Sequence, residues 1–177
     1  ITFKPTFFNN DIKMFQNEYR QKNKNSYFTA DFSLTTGYKS KSSNKKNSIS
    51  HLFAKFESDL NLKDFDYSDL YVSFQKVTND TYLKVFDTNL IETDLNLKPK
   101  SQNELASEVK LSLNNNNYNF NTGIKVFEKL NKKNNDRFQY ILPYYDFSRS
   151  FNFNFFDGQI NFLSTGSNNL NNTNNLK

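Results

Sequence analysis

His51 is the one histidine in the chain, and it lies in a run (residues 50–62) where Lys55, Glu57 and Asp59 fall on its side. Zinc sites take three or four ligands, drawn mostly from histidine and cysteine. With one histidine and no cysteine, a zinc site and thiol chemistry are both unexpected, and His51 reads as a polar wall residue. No nucleophile–base pair, phosphate-binding loop or glycine-rich dinucleotide motif is recognisable. The chain is therefore read as a non-enzyme without a cofactor. The acidic set Glu57, Asp59, Asp64, Asp66 and Asp69 has the oxygen ligands that calcium takes, but not the spacing of a calcium loop. Lysines at 39–46 and 129–133 could meet phosphates or lie in solvated loops. Aromatic strands beside lysines can stack nucleic-acid bases. Here the aromatics mostly share the apolar side, away from the lysines, so no nucleic-acid partner is expected.

The elements that carry these residues alternate with a period of two. Residues 27–34 read Y-F-T-A-D-F-S-L, with Phe28, Ala30, Phe32 and Leu34 on one side and Thr29, Asp31 and Ser33 on the other. The same beat returns at 50–62, 70–74, 105–113, 118–126 and 150–155. That pattern predicts pleated strands with one apolar and one polar face. About ten strands are expected, each near the ~9–11 residues of a tilted membrane strand: 2–8, 12–21, 26–38, 49–62, 68–77, 82–97, 104–114, 117–130, 137–147 and 150–163. No helix is expected, and 82–97 alternates worst.

Composition agrees with half-wet sheets. Of 177 residues only 36% are hydrophobic, yet 17% are aromatic, with 20 Phe and 10 Tyr. Mean hydropathy is −0.82. Disordered chains are poor in aromatics, and a sheet with one solvated face needs about half its positions apolar. Four Gly and three Pro leave turn-making to Asn, Asp, Ser and Lys, with a hairpin turn expected at 114–117. The net charge of +5 fits either an AT-rich codon bias or a polyanion site. The chain begins at Ile1 and has the look of a segment of a longer protein, with 168–177 as a polar tail.

Connections alternate in length from residue 37 onward: long and basic at 37–48, short at 63–67, long at 79–102, short at 114–117, longer at 131–136, and nearly absent at 147–150. In an up-and-down meander every second connection lies at the same end, and outer-membrane barrels put short turns at one end and longer loops at the other. Greek-key sandwiches do not produce this order. Phe65, Tyr67, Tyr71, Tyr82, Phe138, Tyr140, Tyr144, Tyr145 and Phe147 lie near strand ends, where an aromatic girdle would place them.

Three segments resemble one family. Residues 72–87, V-S-F-Q-K-V-T-N-D-T-Y-L-K-V-F-D, are similar to the V-S-D-x-x-Y pattern and following acidic-aromatic stretch of the LptD (organic solvent tolerance protein) family, matched by Val77 and Tyr82, with Asp80 and Thr81 at the unspecified positions, and then by Phe86 and Asp87. Thr78 and Asn79 stand where Ser-Asp is usual. Residues 1–21 resemble the family's T-x-x-P strand and L-x-x-E-[FY]-R strand through Thr2, Pro5, Glu18, Tyr19 and Arg20. Residues 137–147, R-F-Q-Y-I-L-P-Y-Y-D-F, resemble a later strand with proline before D-[FY]. The order and spacing agree, so the resemblance spans nearly the whole chain.

The resemblance implies an all-β fold, an antiparallel up-and-down meander forming a partial section (1–167) of a large transmembrane β-barrel in the cell outer membrane. It implies a role in inserting lipopolysaccharide into the outer leaflet, with an LptE-like plug lipoprotein in the lumen. A periplasmic lipopolysaccharide bridge would be met through an N-terminal domain outside this segment. The gate strands also fall outside it. Asp31, Ser33, Thr35, His51, Lys55, Glu57, Asp59, Glu108, Lys110, Asn152 and Asn154 are then expected to face the lumen. Phe28, Phe32, Leu34, Leu52, Phe56, Leu60, Leu111, Phe151 and Phe153 are expected to face lipid. The alternatives are another outer-membrane barrel, such as a porin or uptake receptor, and a soluble β-sandwich adhesin or binding module. Placing a charge at Phe32 or Phe56 should impair membrane insertion far more than substituting Asp31 or Glu57. Equal losses on both faces, measured as the membrane-inserted fraction, would contradict this orientation.

Overall fold

A computed structural model describes residues 1–8, 11–39, 46–91, 97–133, 137–153 and 158–171. These residues hold nine strands. They are β1 (Thr2–Phe7), β2 (Lys13–Lys22), β3 (Ser26–Tyr38), β4 (Asn47–Asp59), β5 (Tyr67–Val77), β6 (Glu104–Asn115), β7 (Tyr118–Lys129), β8 (Phe138–Phe153) and β9 (Gly158–Asn171). They pair in sequence order as one antiparallel sheet. The all-β meander expected from alternation is what forms. The sheet does not close into a barrel, and β1 and β9 are its edges.

Directly opposed residues of antiparallel strands share a face. Phe28, Phe56, Val72, Val109 and Ile124 therefore stand side by side across β3–β7. Thr29, Lys55, Ser73, Glu108 and Lys125 form the matching row on the other face. Three of the four connections at one end (39–46, 78–103 and 130–137) are eight residues or longer, and none at the other end (23–25, 60–66, 116–117 and 154–157) exceeds seven.

The longest connection corrects an expected strand. Residues 82–89 are not extended: Tyr82–Phe86 is a short helix, α1, followed by a 3-10 turn over Asp87–Asn89; residues 92–96 lie outside the described set. Tyr82, Leu83, Phe86 and Leu90 repeat at helical, not strand, spacing, and all four are buried. With Leu97 they pack on Met14, Ile49, Phe53 and Val77, joined by Leu105 and Leu130. Met14, Ile49, Phe53 and Val77 hold the strand positions of the polar row's face. We call this covered face the inner face. Buried with the cluster on β2–β4 are Gln16, Glu18, Thr29, Asp31, Ser33, Thr35 and His51. On the outer face Phe32 and Leu34 remain 45% and 49% exposed, so the usual inside-outside rule is reversed over these strands.

The last hairpin also differs from expectation. Residues 147–150 carry no turn, and β8 runs through them to Phe153. The connection instead falls at 154–157, just before Gly158, where Asp157–Gly158 is a strong hairpin signal. β9 then extends to Asn171, into the segment read as a polar tail. Leu142–Pro143 sits at the β8–β9 register shift between Ile141 and Tyr144, where a residue without an N–H leaves no ladder bond unmade.

Two glycines are required by geometry. Gly37 has φ +81°, at the β3–β4 irregularity, and a Cβ there would lie 2.5 Å from the Asp11 carbonyl oxygen. At Gly123 a Cβ would meet the Val109 carbonyl oxygen at 2.4 Å and the Tyr144 ring at 2.9 Å. Gly123→Ala should therefore destabilise the sheet by about 1–3 kcal/mol, the usual cost of overpacking. A chemical unfolding midpoint unchanged from the parent would contradict this close approach.

Candidate functional site

The inner face has two zones, one filled by the 78–103 connection and one open. In the filled zone the hub is the Tyr82 hydroxyl, supplied by α1. It hydrogen-bonds with Ser33 Oγ of β3 and lies 2.8 Å from His51 Nδ1 of β4. Ser33 Oγ and His51 Nδ1 are themselves 2.9 Å apart. The His51 ring stacks on Phe53 at 4.4 Å and meets Tyr82 edge-on at 5.3 Å. His51 Nε2 sits 3.2 Å from Asp31 Oδ1 but is not aligned with it as a hydrogen bond. Gln16 Nε2 donates to both Asp31 oxygens at 2.9 Å, and Gln16 Oε1 accepts the Ile91 N–H at 3.1 Å. Burial holds the Tyr82 phenol above its ordinary pKa, against the pull of its hydroxyl partners.

Ser33, His51 and Asp31 have the residue types of a nucleophile, base and orienting acid. They lack access. Ser33 is 4% exposed, its hydroxyl is already bonded to Tyr82, and neither cavity of the inner face reaches it. The group works as a seat for α1. Sequence reasoning placed Asp31, Ser33, Thr35 and His51 on one face but missed Tyr82 as their partner. The signal was present: Met14 and Phe53 interrupt that polar face with large apolar side chains and so require a covering group.

Further anchors spread across the sheet. Lys4 Nζ of β1 donates to the Asn89 carbonyl at 2.9 Å, and Gln75 Nε2 of β5 donates to the Leu97 carbonyl at 3.1 Å. At the long-connection end Arg137 grips Asp80 with two hydrogen bonds (2.7 and 3.1 Å) and Glu128 with two more (2.7 and 2.9 Å). Lys76 donates to Glu128 at 2.8 Å. Arg137 holds the Asp80 carboxyl below its ordinary pKa, against desolvation, and the two carboxylates raise the guanidinium. Inside the connection, burial opposes charging Asp87, but Lys98 and Gln102 outweigh it and lower its pKa. Each of the buried apolar side chains Tyr82, Leu83, Phe86, Leu90 and Leu97 adds about 1.5–3 kcal/mol to the seat.

The open zone is a trench over β4–β8. Cavities of about 700 and 410 Å³ meet there, sharing Glu57, Tyr71, Glu108 and Lys125. The larger adds Asp69, Lys110, Asn121, Tyr144 and Asp146; the smaller adds Lys55, Ser73, Gln75, Lys98 and Lys100. Lys125 pairs with Glu108 at 3.2 Å and lies 4.8 Å from the Tyr144 ring centre, while the Tyr144 hydroxyl donates to Glu108 at 2.6 Å. Lys55 pairs with Glu57 at 3.1 Å. The trench can hold water and polar groups. No cluster of His, Cys, Asp or Glu suited to a metal occurs among the described residues.

The remaining expected residues divide as follows. Lys55, Glu57, Glu108 and Lys110 line the trench. Asp59 lies at the exposed end of β4, where its carboxylate accepts the Asn61 N–H at 2.9 Å. Asn152 pairs with Gln159 and Phe153 with Gly158, and Asn154 lies outside the described residues. Phe32, Leu34 and Leu52 stand exposed on the outer face, Phe28, Phe56 and Leu111 half-buried beside them, Phe151 half-buried in β8 and Leu60 exposed just after β4. Tyr71, Tyr82 and Tyr144 are inner-face residues and leave the expected girdle. Asp31, bonded into the seat, is no tolerant control for the outer-face substitutions; Glu57 and Lys110 serve better. Lys46 pairs with Asp11 at 3.1 Å; residues 40–45 lie outside the described set.

No family model, curated protein or solved structure matches the chain.

A depressed carboxyl stabilises the fold above its ordinary pKa, and that contribution is lost as pH falls through the folded value. For Asp80 the ordinary value is 3.8. Below it the Arg137 grip should weaken, and Asp80→Asn should flatten the acid-unfolding limb below pH 3.8. Superimposable limbs for the parent and Asp80→Asn would show that the grip adds nothing.

Proposed function

We propose that the chain is a section of an outer-membrane β-barrel that inserts lipopolysaccharide into the outer leaflet of the cell outer membrane. The observation that carries the membrane part is the reversed polarity of the sheet. An apolar outer face crosses β3–β7 without a covering layer among the described residues, while charge and hydrogen-bonding groups gather inside. Closed barrels with apolar outsides and polar interiors are the strand-built solution to spanning lipid. A sandwich would need a second sheet over the outer face, and the described strands form one sheet. That no helix among the described residues is long and apolar enough to cross a membrane has no bearing on strands.

The lipopolysaccharide part rests on the motif resemblance at 1–21, 72–87 and 137–147. One of those motif residues has work in the structure: Tyr82 is the hub of the seat. On this reading lipopolysaccharide, an LptE-like plug lipoprotein and a periplasmic bridge are the partners. The chemistry is positional: the barrel section holds a polar interior beside a hydrocarbon-facing outside.

The open trench favours a second reading, a diffusion channel or uptake receptor, whose lumen would pass small polar solutes. The two separate in one strain. Depleting the full-length protein should trap lipopolysaccharide at the inner membrane and restore it to the surface on re-expression, read by surface labelling of lipopolysaccharide. Normal surface lipopolysaccharide after depletion, with loss of solute uptake instead, would overturn the first reading in favour of the second. A full-length protein that is monomeric without detergent would overturn both.

A further inference from the structure

The 78–103 connection meets far more of the sheet than the two strands it joins. Lys4, Gln16, Ser33, His51, Gln75 and Arg137 hold it from β1, β2, β3, β4, β5 and the start of β8. Mobile lids and gates come from segments with few buried apolar contacts. This connection is the opposite case, with Tyr82, Leu83, Phe86, Leu90 and Leu97 all 3% exposed or less. Lifting it would expose them and also strip partners from Ser33, His51 and Gln16, which are buried beneath it. Wetting those apolar side chains and breaking those hydrogen bonds both cost free energy. Moreover, Lys98 and Lys100 of the connection line the smaller cavity of the trench. The connection is therefore both cover for one zone and wall for the next.

We propose that the described parts of the connection, residues 78–91 and 97–103, form a stationary partition. It seals the inner face over β2–β4 and leaves the β4–β8 trench as the compartment, among the described residues, that admits water and polar guests. Traffic along this section then passes beside the connection and never requires it to swing away. The proposal stands on the seat's geometry alone and is independent of the lipopolysaccharide reading.

The chain has no cysteine, so single thiols report cleanly on this section. In the full-length protein in detergent, Lys110→Cys in the trench should react quickly with a charged maleimide. Thr35→Cys, under the connection and 0% exposed in the parent, should react about tenfold more slowly or less, as a closed seat requires. Comparable rates would overturn the partition. Should Thr35→Cys fail to fold, a second measurement decides. Lys4→Cys and Asn89→Cys, bridged by a short bismaleimide, pin the connection to β1. Bridging should leave amide hydrogen exchange of β3 and β4 beneath the connection unchanged. A severalfold slowing of that exchange on bridging would show that the connection moves, and would overturn the proposal.

Discussion

Parity along the strands governs everything else in this molecule. Opposed residues share a face, so a one-residue slip between any two neighbours would carry Phe56 inward and Lys55 outward for the whole strand. The register is held where slipping would hurt most. Gly123 admits the Tyr144 ring at one inner position, and a residue with a side chain would not. Gly37 absorbs the irregularity at the end of β3. The buried seat enforces the same register from above. Tyr82 reaches Ser33 and His51 together only when β3 and β4 pair as they do.

The seat also resolves an apparent conflict in the inner face. Buried polar groups are tolerated when they are paired. Gln16, Asp31, Ser33 and His51 lie under apolar side chains yet are bonded to one another and to the connection. An apolar lid alone would strand them. A polar lid alone would leave Met14, Ile49, Phe53 and Val77 wet. The connection supplies both, a hydroxyl at Tyr82 and backbone N–H at Ile91 among the leucines and phenylalanine that cover the rest. The trench needs no such cover, because Lys55 pairs with Glu57 along β4 and Lys125 with Glu108 across β6 and β7 at the open wall, where each pair contributes little but keeps the wall neutral.

Much of the sheet was legible because alternation is a local signal. β3, β4, β6 and β7 announce their faces in eight to thirteen residues each. The alternating length of the connections ordered them into a meander. Two features escaped for physical reasons. Residues 82–97 were read as a weak strand because β-propensity at Tyr82, Val85 and Phe86 competes with helical spacing, and tertiary packing decided between them. The β8–β9 boundary was misplaced because residues 147–150 looked like a brief interruption, while the Asp157–Gly158 turn signal lay inside an aromatic run. The inner residues were legible as a face, but not as two zones. Which part of that face is sealed depends on a connection 26 residues long folding back on it, and only Met14, Ile49, Phe53 and Val77 among the polar positions of β2–β5 hint at that.

The count of strands carries one more consequence. Nine strands that alternate in direction place β1 and β9 pointing the same way. Sewn edge to edge, they would meet as a parallel seam, with slanted hydrogen bonds. An all-antiparallel ring containing this sheet must therefore add an odd number of strands. The arithmetic turns an open edge into a parity rule for whatever completes the circle.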